Sequence, residues 1–489
     1  MKYEIVIGLE VHSQLSTESK MFCSCDAGYQ HAPPNTKVCE VCMGMPGVLP
    51  VINKRAVEQV IATGIALDCT IAKHTKFDRK NYPYPDLMKG YQISQFDQPI
   101  AHAGHLSIDT NNGIKNVGIT RVHLEEDVAK LMHRTSPDGE SHSLLDVNRA
   151  GVPLMEVVSE PDMSTADEAR IYLIELRSIL RYIGVSTANM EEGSFRCDAN
   201  ISVRPKGSTS LGSKVEVKNM NSFRSVHDAL EYEVERQTRL VGAGEPIVQE
   251  TRGWNQHRST TISQRTKEYA SDYRYFPEPD LPPLLIQPSL VQRIAEELPE
   301  LPAARTERFL KQYGLPSYDA KILTSSKSNA DYFESVMKSS TNDLLQKDLA
   351  KSVSNWMCGE LAKLLNETGG DTENLKFRPK DLVELVSMVD SGVLSGNMAK
   401  EVFTEMFESG ARPKQIVEDR SLVQISDTDL VETAIDEATE SNPAAVQDYL
   451  EGKHAALKFL MGQVMKITRG KANPRITIAL LTKKLESMR

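Results

Sequence analysis

No apolar run in the 489 residues is long enough to cross a bilayer, so a soluble chain is expected. A strand-like pattern sets in at Tyr3, leaving no room for a signal or transit peptide, and a cytoplasmic chain of bacterial type is expected. A phosphate loop is missing as well. Its nearest match, Gly207-x4-Gly212, continues as Ser213-Lys214, and the strand-like Val215-Glu216-Val217 follows where a helix would have to open. That segment reads as a hairpin loop. There is no Gly-x-Ser-x-Gly elbow and no cysteine at the extreme N-terminus, so two common devices for nucleophilic catalysis are excluded. Internal repeats and low-complexity stretches are also lacking.

What is present is ordinary in bulk and uneven in detail. A chain this long exceeds one hydrophobic core, so two or three domains are expected from 40% hydrophobic and 25% charged residues. Four of the seven cysteines fall between residues 23 and 42, and clustering of that kind in a cytosolic chain points to metal before disulfides. The net charge of −10 conceals a basic end: residues 453 to 489 hold nine Lys or Arg against the single acid Glu486. A local basic patch is what phosphate binding requires, whatever the average.

Short alternating patterns dominate up to the Pro-rich stretch Phe276 to Pro288, and helical patterns dominate after it. Three domains follow: an α+β domain on an antiparallel sheet over residues 1–290, a helical domain over 291–410, and a helical tail module over 411–489. Period-2 alternation puts Glu10 and His12 on one strand face, and His123 and Glu125 on another. Asn112-Gly113 predicts a type I′ hairpin turn. Thr165 with Glu168 predicts a capped helix ending at Gly184, and a second helix runs from near Ser222 to near Gly242. Between them Arg196, Asp198 and Asn200 share a strand face, as do Lys214, Glu216 and Lys218.

The strongest local signal is Cys23-x-Cys25, thirteen residues, then Cys39-x2-Cys42. Two close pairs of thiolates can close a tetrahedron around Zn²⁺, and four protein ligands make such a site structural. The competing reading is a loop of free or disulfide-linked thiols, against which stands the weak core-forming power of Pro33-Pro34-Asn35. For Glu10, His12, His123 and Glu125 two readings stand side by side on spacing alone: exposed strand polar residues, or a Mg²⁺ site for phosphate chemistry. In the tail, Leu457, Leu460 and Val464 fit one helical face, leaving Lys458 and Lys466 for solvent or phosphate.

Several longer stretches carry a resemblance. They are Ile7-Gly8-Leu9-Glu10-Val11-His12, Asp78-Arg79-Lys80-Asn81-Tyr82-Pro83-Tyr84-Pro85-Asp86, Asn148-Arg149-Ala150-Gly151-Val152-Pro153-Leu154, and Glu191-Glu192-Gly193-Ser194-Phe195-Arg196-Cys197-Asp198-Ala199-Asn200. Glu216-Val217-Lys218-Asn219-Met220-Asn221-Ser222, Asp272 to Asp280 and the Arg469-Gly470-Lys471-Ala472-Asn473-Pro474 tail complete the set. Together they closely resemble the GatB family of aspartyl/glutamyl-tRNA amidotransferases over the whole chain.

The resemblance implies a ligase that forms carbon–nitrogen bonds with glutamine as the amide donor, built on a cradle-like catalytic domain. Its partners in a heterotrimer would be an amidase-type glutaminase and a small bracing protein, with tRNA(Gln) or tRNA(Asn) as the RNA. ATP would phosphorylate Glu or Asp carried on that tRNA, and ammonia from the glutaminase would displace phosphate. The implied roles are Glu10, His12 and Glu125 for catalysis and Mg²⁺; Arg196, Asp198, Asn200, Glu216, Lys218 and Asn219 for the nucleotide or acyl end; and Lys89 with Glu125 for the ammonia path. Lys458, Lys466, Arg469, Lys471 and Arg475 would meet tRNA, while Cys23, Cys25, Cys39 and Cys42 hold zinc. A zinc-stabilised RNA-binding scaffold without chemistry, and a self-contained ligase using free ammonia, are the rival readings.

Overall fold

The computed structural model describes every residue except 1–2, 209, 267–269, 341–345, 421, 423–427, 469–471, 473 and 489. The chain divides into two compact units, Met1–Leu301 and Pro302–Arg489. In the first, β1 (Tyr3–Gln14) and α1 (Lys54–Ala66) precede β2 (Thr70–Ile71), β3 (His74–Thr75), β4 (Asp78–Asn81), β5 (Tyr91–Ser94), β6 (Ala101–Thr110), β7 (Gly113–Glu126), β8 (Lys130–Thr135), β9 (Ser141–Asp146) and β10 (Pro153–Ser159). There follow α2 (Ala166–Tyr182), β11 (Phe195–Pro205), β12 (Val215–Met220), α3 (Phe223–Gly242), β13 (Glu250–Asn255), β14 (Thr260–Thr266), β15 (Phe276–Pro277), β16 (Leu284–Leu285) and α4 (Pro288–Glu297).

Nine strands form one sheet in the order β14-β13-β12-β11-β1-β10-β7-β6-β2, antiparallel except between β12 and β13. The α+β class with an antiparallel sheet is as expected. Alternation sets its two faces. Ile7, Leu9 and Val11 of β1, Met155 and Val157 of β10, and Cys197, Ala199 and Ile201 of β11 are buried in one core with α1, α2 and α3. Each large aliphatic side chain so buried contributes roughly 1.5–3 kcal/mol. The opposite face carries the polar residues of the same strands, and the small sheet β15-β4-β5 stands beside it.

Local signals explain the element ends. The Thr165 hydroxyl accepts from the Glu168 N–H at 3.1 Å, while the Glu168 carboxylate accepts from the Ser164 N–H at 2.7 Å, so α2 starts where both orphan donors are satisfied. The segment 206–214 links antiparallel β11 and β12, as its reading as a hairpin loop requires. One turn differs from expectation. Thr110 pairs with Gly113, making Asn111-Asn112 the two-residue loop, and of these residues only Gly113 has positive φ, at 106°. A type I′ turn needs positive φ at both central residues, so the glycine here serves as the residue that re-enters the strand.

The second unit is helical and holds two separate hydrophobic clusters. One runs from Phe309 to Val417 and the other from Val431 to Leu485. The helix Pro413–Asp419 buries Ile416 and Val417 in the first. No described helix is long and apolar enough to cross a membrane.

Candidate functional site

Register brings the polar residues of four strands into rows. Arg196 of β11 pairs with His12 of β1, His12 with Glu156 of β10, and Glu156 with His123 of β7. β10 thus lies between the two strands whose faces were expected to meet, and supplies a carboxylate between their histidines. One row away, Gln14, Leu154 and Glu125 align; on the other side, Asp198 and Glu10 do.

The His12 Nε2 lies 3.7 Å from Glu125 and 3.6 Å from Glu156, and the His123 Nε2 lies 3.4 Å and 3.2 Å from the same carboxylates. From the small sheet, Ser94 donates to Glu125 at 2.7 Å and Gln92 donates to it at 3.2 Å. Both carboxylates are buried, and burial alone would favour their protonated forms. Lys80 and His123 outweigh this at Glu125, which is drawn down to about 2; His12, His123 and Lys80 hold Glu156 well below the usual range. Burial likewise disfavours charge on His123, yet Glu156 and Glu125 raise its pKa. The carboxylates are therefore ionised.

Ligand atoms of His12, Glu125 and Glu156 all lie within 4.8 Å of one another. Two ionised carboxylates and an imidazole suit a divalent cation that prefers oxygen and keeps open positions for water or phosphate. Glu10 is not in this close group. Its carboxylate accepts from the Asn200 amide at 2.8 Å, one row away.

The thiols of Cys23, Cys25, Cys39 and Cys42 also lie within 4.8 Å of one another, with 3.9 Å between Cys39 and Cys42. A tetrahedron of sulfurs at zinc's usual bond length has edges of roughly 3.8 Å, so the donor set fits zinc. Hydrogen bonds from the Cys23 thiol and the Cys39 N–H, with the Lys20 ammonium nearby, pull the Cys42 thiol down to about 4. Lys20 is fully buried, and its Nζ is 3.6 Å from the Cys42 sulfur. The loop is stitched to the sheet through the turn before β10. The buried Asn148 accepts from the Lys37 N–H at 2.7 Å and donates to the Pro33 carbonyl at 2.7 Å, and the Met21 N–H donates to the Gly151 carbonyl at 2.7 Å.

The remaining expected residues fall into pairs. Lys218 reaches Asp198 at 2.6 Å and Glu216 at 3.6 Å, and Glu216 accepts from the Thr251 hydroxyl at 2.7 Å. Arg196 meets buried Asp127 at 3.0 Å, beside Gln14 at 2.7 Å and Arg149 at 3.7 Å. Asn219 takes a positive φ of 66° at the irregular join of β11 and β12. Lys89 is paired with Glu126, at 2.5 Å, and not with its neighbour Glu125. Both line a cavity of about 230 Å³ with Phe22, Cys42 and Tyr91. Lys458 and Lys466 are exposed on the helix Ala455–Ile467. Arg469 and Lys471 lie outside the described residues, as does the Arg475 side chain.

Glu156, Lys80, Asp127, Glu126 and Lys20 were missed by sequence reasoning. Glu156 had a signal: it is the lone charge in the strand Pro153–Ser159, two residues beyond the motif that ends at Leu154. Asp127, Glu126 and Lys20 are paired only by the folded chain, with Arg196, Lys89 and Cys42, and Lys80 is placed by its register opposite Gln92.

A model of the GatB/GatE catalytic domain matches residues 5–292, and a model of the GatB domain matches residues 331–485. A relative in Dehalococcoides mccartyi is 54% identical over 488 residues, 99% of each chain. One in Thermoanaerobacter pseudethanolicus is 52% identical over 99% of this chain and all of its own. A third, in Carboxydothermus hydrogenoformans, is 49% identical over the full length of both. All three are named as the B subunit of an aspartyl/glutamyl-tRNA(Asn/Gln) amidotransferase.

Proposed function

This chain belongs to the GatB family of aspartyl/glutamyl-tRNA(Asn/Gln) amidotransferases, ligases that form carbon–nitrogen bonds, and we propose that its polar sheet face is where the acyl group on tRNA is phosphorylated and amidated. The observation that carries this reading is the buried His12–Glu125–Glu156 group, two ionised carboxylates beside an imidazole, opening on a face lined with cations.

The side-chain carboxylate of Glu on tRNA(Gln), or of Asp on tRNA(Asn), takes the terminal phosphoryl group of ATP. A phosphorus–oxygen bond forms to the substrate, the bond to ADP breaks, and a poor leaving group becomes a good one. Ammonia then attacks the acyl carbon, the carbon–oxygen bond breaks, and phosphate departs as the nitrogen loses its proton. His12, Glu125 and Glu156 would hold Mg²⁺, with Glu10 and Asn200 bordering it; the ion supplies charge neutralisation for phosphoryl transfer when bound. Ser94 and Gln92 keep Glu125 turned toward that position. Arg196, Asp198, Glu216, Lys218 and Asn219 would line the nucleotide or acyl end. Lys89, held by Glu126, would border the ammonia path near Glu125.

Ammonia would come from an amidase-type glutaminase partner, with a small third protein completing a cytoplasmic heterotrimer. Zinc on the four cysteines would be structural. Residues 411–489, carrying Lys458, Lys466, Arg469, Lys471 and Arg475, would grip tRNA through phosphate. The test is formation of phosphate and Gln-tRNA(Gln) from Glu-tRNA(Gln), ATP, Mg²⁺ and ammonium by the complex. Wild type should form both and Glu125→Gln neither, with equal tRNA affinity. If neither protein yields product although tRNA binds, the chain is an RNA-binding scaffold.

A further inference from the structure

The cations around the polar face are not alike. Arg79 is paired with Glu278, Lys89 with Glu126, Arg196 with Asp127 and Lys218 with Asp198. Among the described residues, Lys80 and Arg121 have no ion pair and their side chains form no hydrogen bond, and the buried Nε of Arg121 is without a partner.

Both are aimed at the same place by register. Arg121 is two residues from His123 and four from Glu125 on one strand, so the three side chains share the polar face of β7. Lys80 pairs across the small sheet with Gln92, which donates to Glu125. Its ammonium lies 5.0 Å from the Tyr273 ring and 5.9 Å from the Tyr82 ring, rings that pack edge to face. Tyr275 is stacked on Phe96 at 4.2 Å, and burial pushes its phenol pKa up while the charge of Lys80 opposes the rise. Desolvation would discharge Lys80, but Glu125 and Glu156 keep it protonated. Aromatic rings supply no acceptor for three N–H donors, and a guanidinium offers five. Two cations that no protein acceptor bonds, beside a candidate metal group, suit an anion with several charges.

We propose that Lys80 and Arg121 bind the phosphate chain of the nucleotide from either side, holding it against the cation position at His12, Glu125 and Glu156. Lys80, on the short strand β4, meets the chain from the small sheet; Arg121, on β7, meets it from the large one. Neither transfers a proton. Both neutralise charge on oxygens during transfer, so their loss raises the KM for ATP and lowers kcat.

This inference rests on reading the face as the phosphorylating site, and the experiment separates the two. Binding of inorganic tripolyphosphate with Mg²⁺ to the full chain is measured by calorimetry for wild type, Lys80→Met, Arg121→Gln and Arg170→Gln. Wild type and Arg170→Gln, an exposed change on α2, should bind alike, and each of the other two should bind at least about ten-fold more weakly. Arg121 is only partly buried and has no ion pair to lose, so its variant is expected to fold even if the Lys80 variant does not, and a thermal melt of each protein checks this. Lack of tripolyphosphate binding by wild type, or affinity in Arg121→Gln within two-fold of wild type, overturns the inference. Binding that depends on both cations, in a complex that makes no phosphate from ATP and Glu-tRNA(Gln), upholds it and defeats the proposed function instead.

Discussion

The cysteine loop and the polar sheet face each gather groups suited to a metal, by opposite routes. In the loop all four donors come from residues 23 to 42, and the donor set is complete in itself. On the sheet, His12, Glu125 and Glu156 come from three strands spread over about 145 residues, and three donors leave a cation's other positions to solvent and substrate. A closed set can only hold structure in place, whereas an open one can take part in a reaction. The loop has little core of its own and would gain most from a bound metal; the sheet has a large core on its other face and can tolerate a buried row of charge.

That contrast can be broken experimentally, beginning with the largest effect. Glu156→Gln should lower ATP-dependent amidation by at least about 10²-fold with zinc content by metal analysis unchanged; activity near wild type would remove β10 from the site. Deleting residues 428–489, which spares Ile416 and Val417 in their cluster, should weaken tRNA binding about ten-fold near physiological salt and flatten its salt dependence. Equal affinities of the two proteins would show that phosphate contacts lie elsewhere. Cys42→Ser should abolish zinc binding and lower the melting temperature by roughly 5 °C, while amidation at 25 °C falls only a few-fold. A loss of rate as large as that of Glu156→Gln would erase the distinction between the clusters.

The smallest expected effect concerns Asp127. Burial opposes its charge, but Arg196 and Arg149 hold its carboxyl below the usual range. A carboxyl whose folded pKa is depressed adds stability above its unfolded pKa and loses it as pH falls through the folded one. Asp127→Asn should therefore cost about 1 kcal/mol at pH 7, discounted for the exposure of Arg196, with the deficit shrinking below about pH 4. Denaturant titrations at pH 7 and pH 3 that give the same difference would remove the ion pairs from the account.

What the sequence made legible follows the same division. Cysteine spacing announces a cluster of four thiols that fits zinc, because its geometry is local. Alternation in β1 and β7 put Glu10, His12, His123 and Glu125 on definite faces, yet could not reveal that β10 runs between them, since strand order is a non-local property. Glu156 therefore went unseen, and Glu10 was grouped with a set from which register separates it by one row. The resemblance put Lys89 and Glu125 on one path without saying what holds either, and packing supplies Glu126 as the ion-pair partner of Lys89. Helix ends were readable where caps are made by adjacent residues, as at Thr165, and the Asn112-Gly113 turn was misassigned because dipeptide preference does not fix which residues close the hairpin.

The short turn from Asp146 to Pro153 fastens the cysteine loop through Asn148 and Gly151 and then launches β10. It works as an index pin. A slip of one residue in β10 would rotate Glu156 into the hydrocarbon side and present Met155 and Val157 to the histidines. A cysteine cluster more than a hundred positions upstream in the chain is thus tied to the turn that sets which side of one strand carries Glu156, and the loop can be read as a gauge that keeps the sheet in phase.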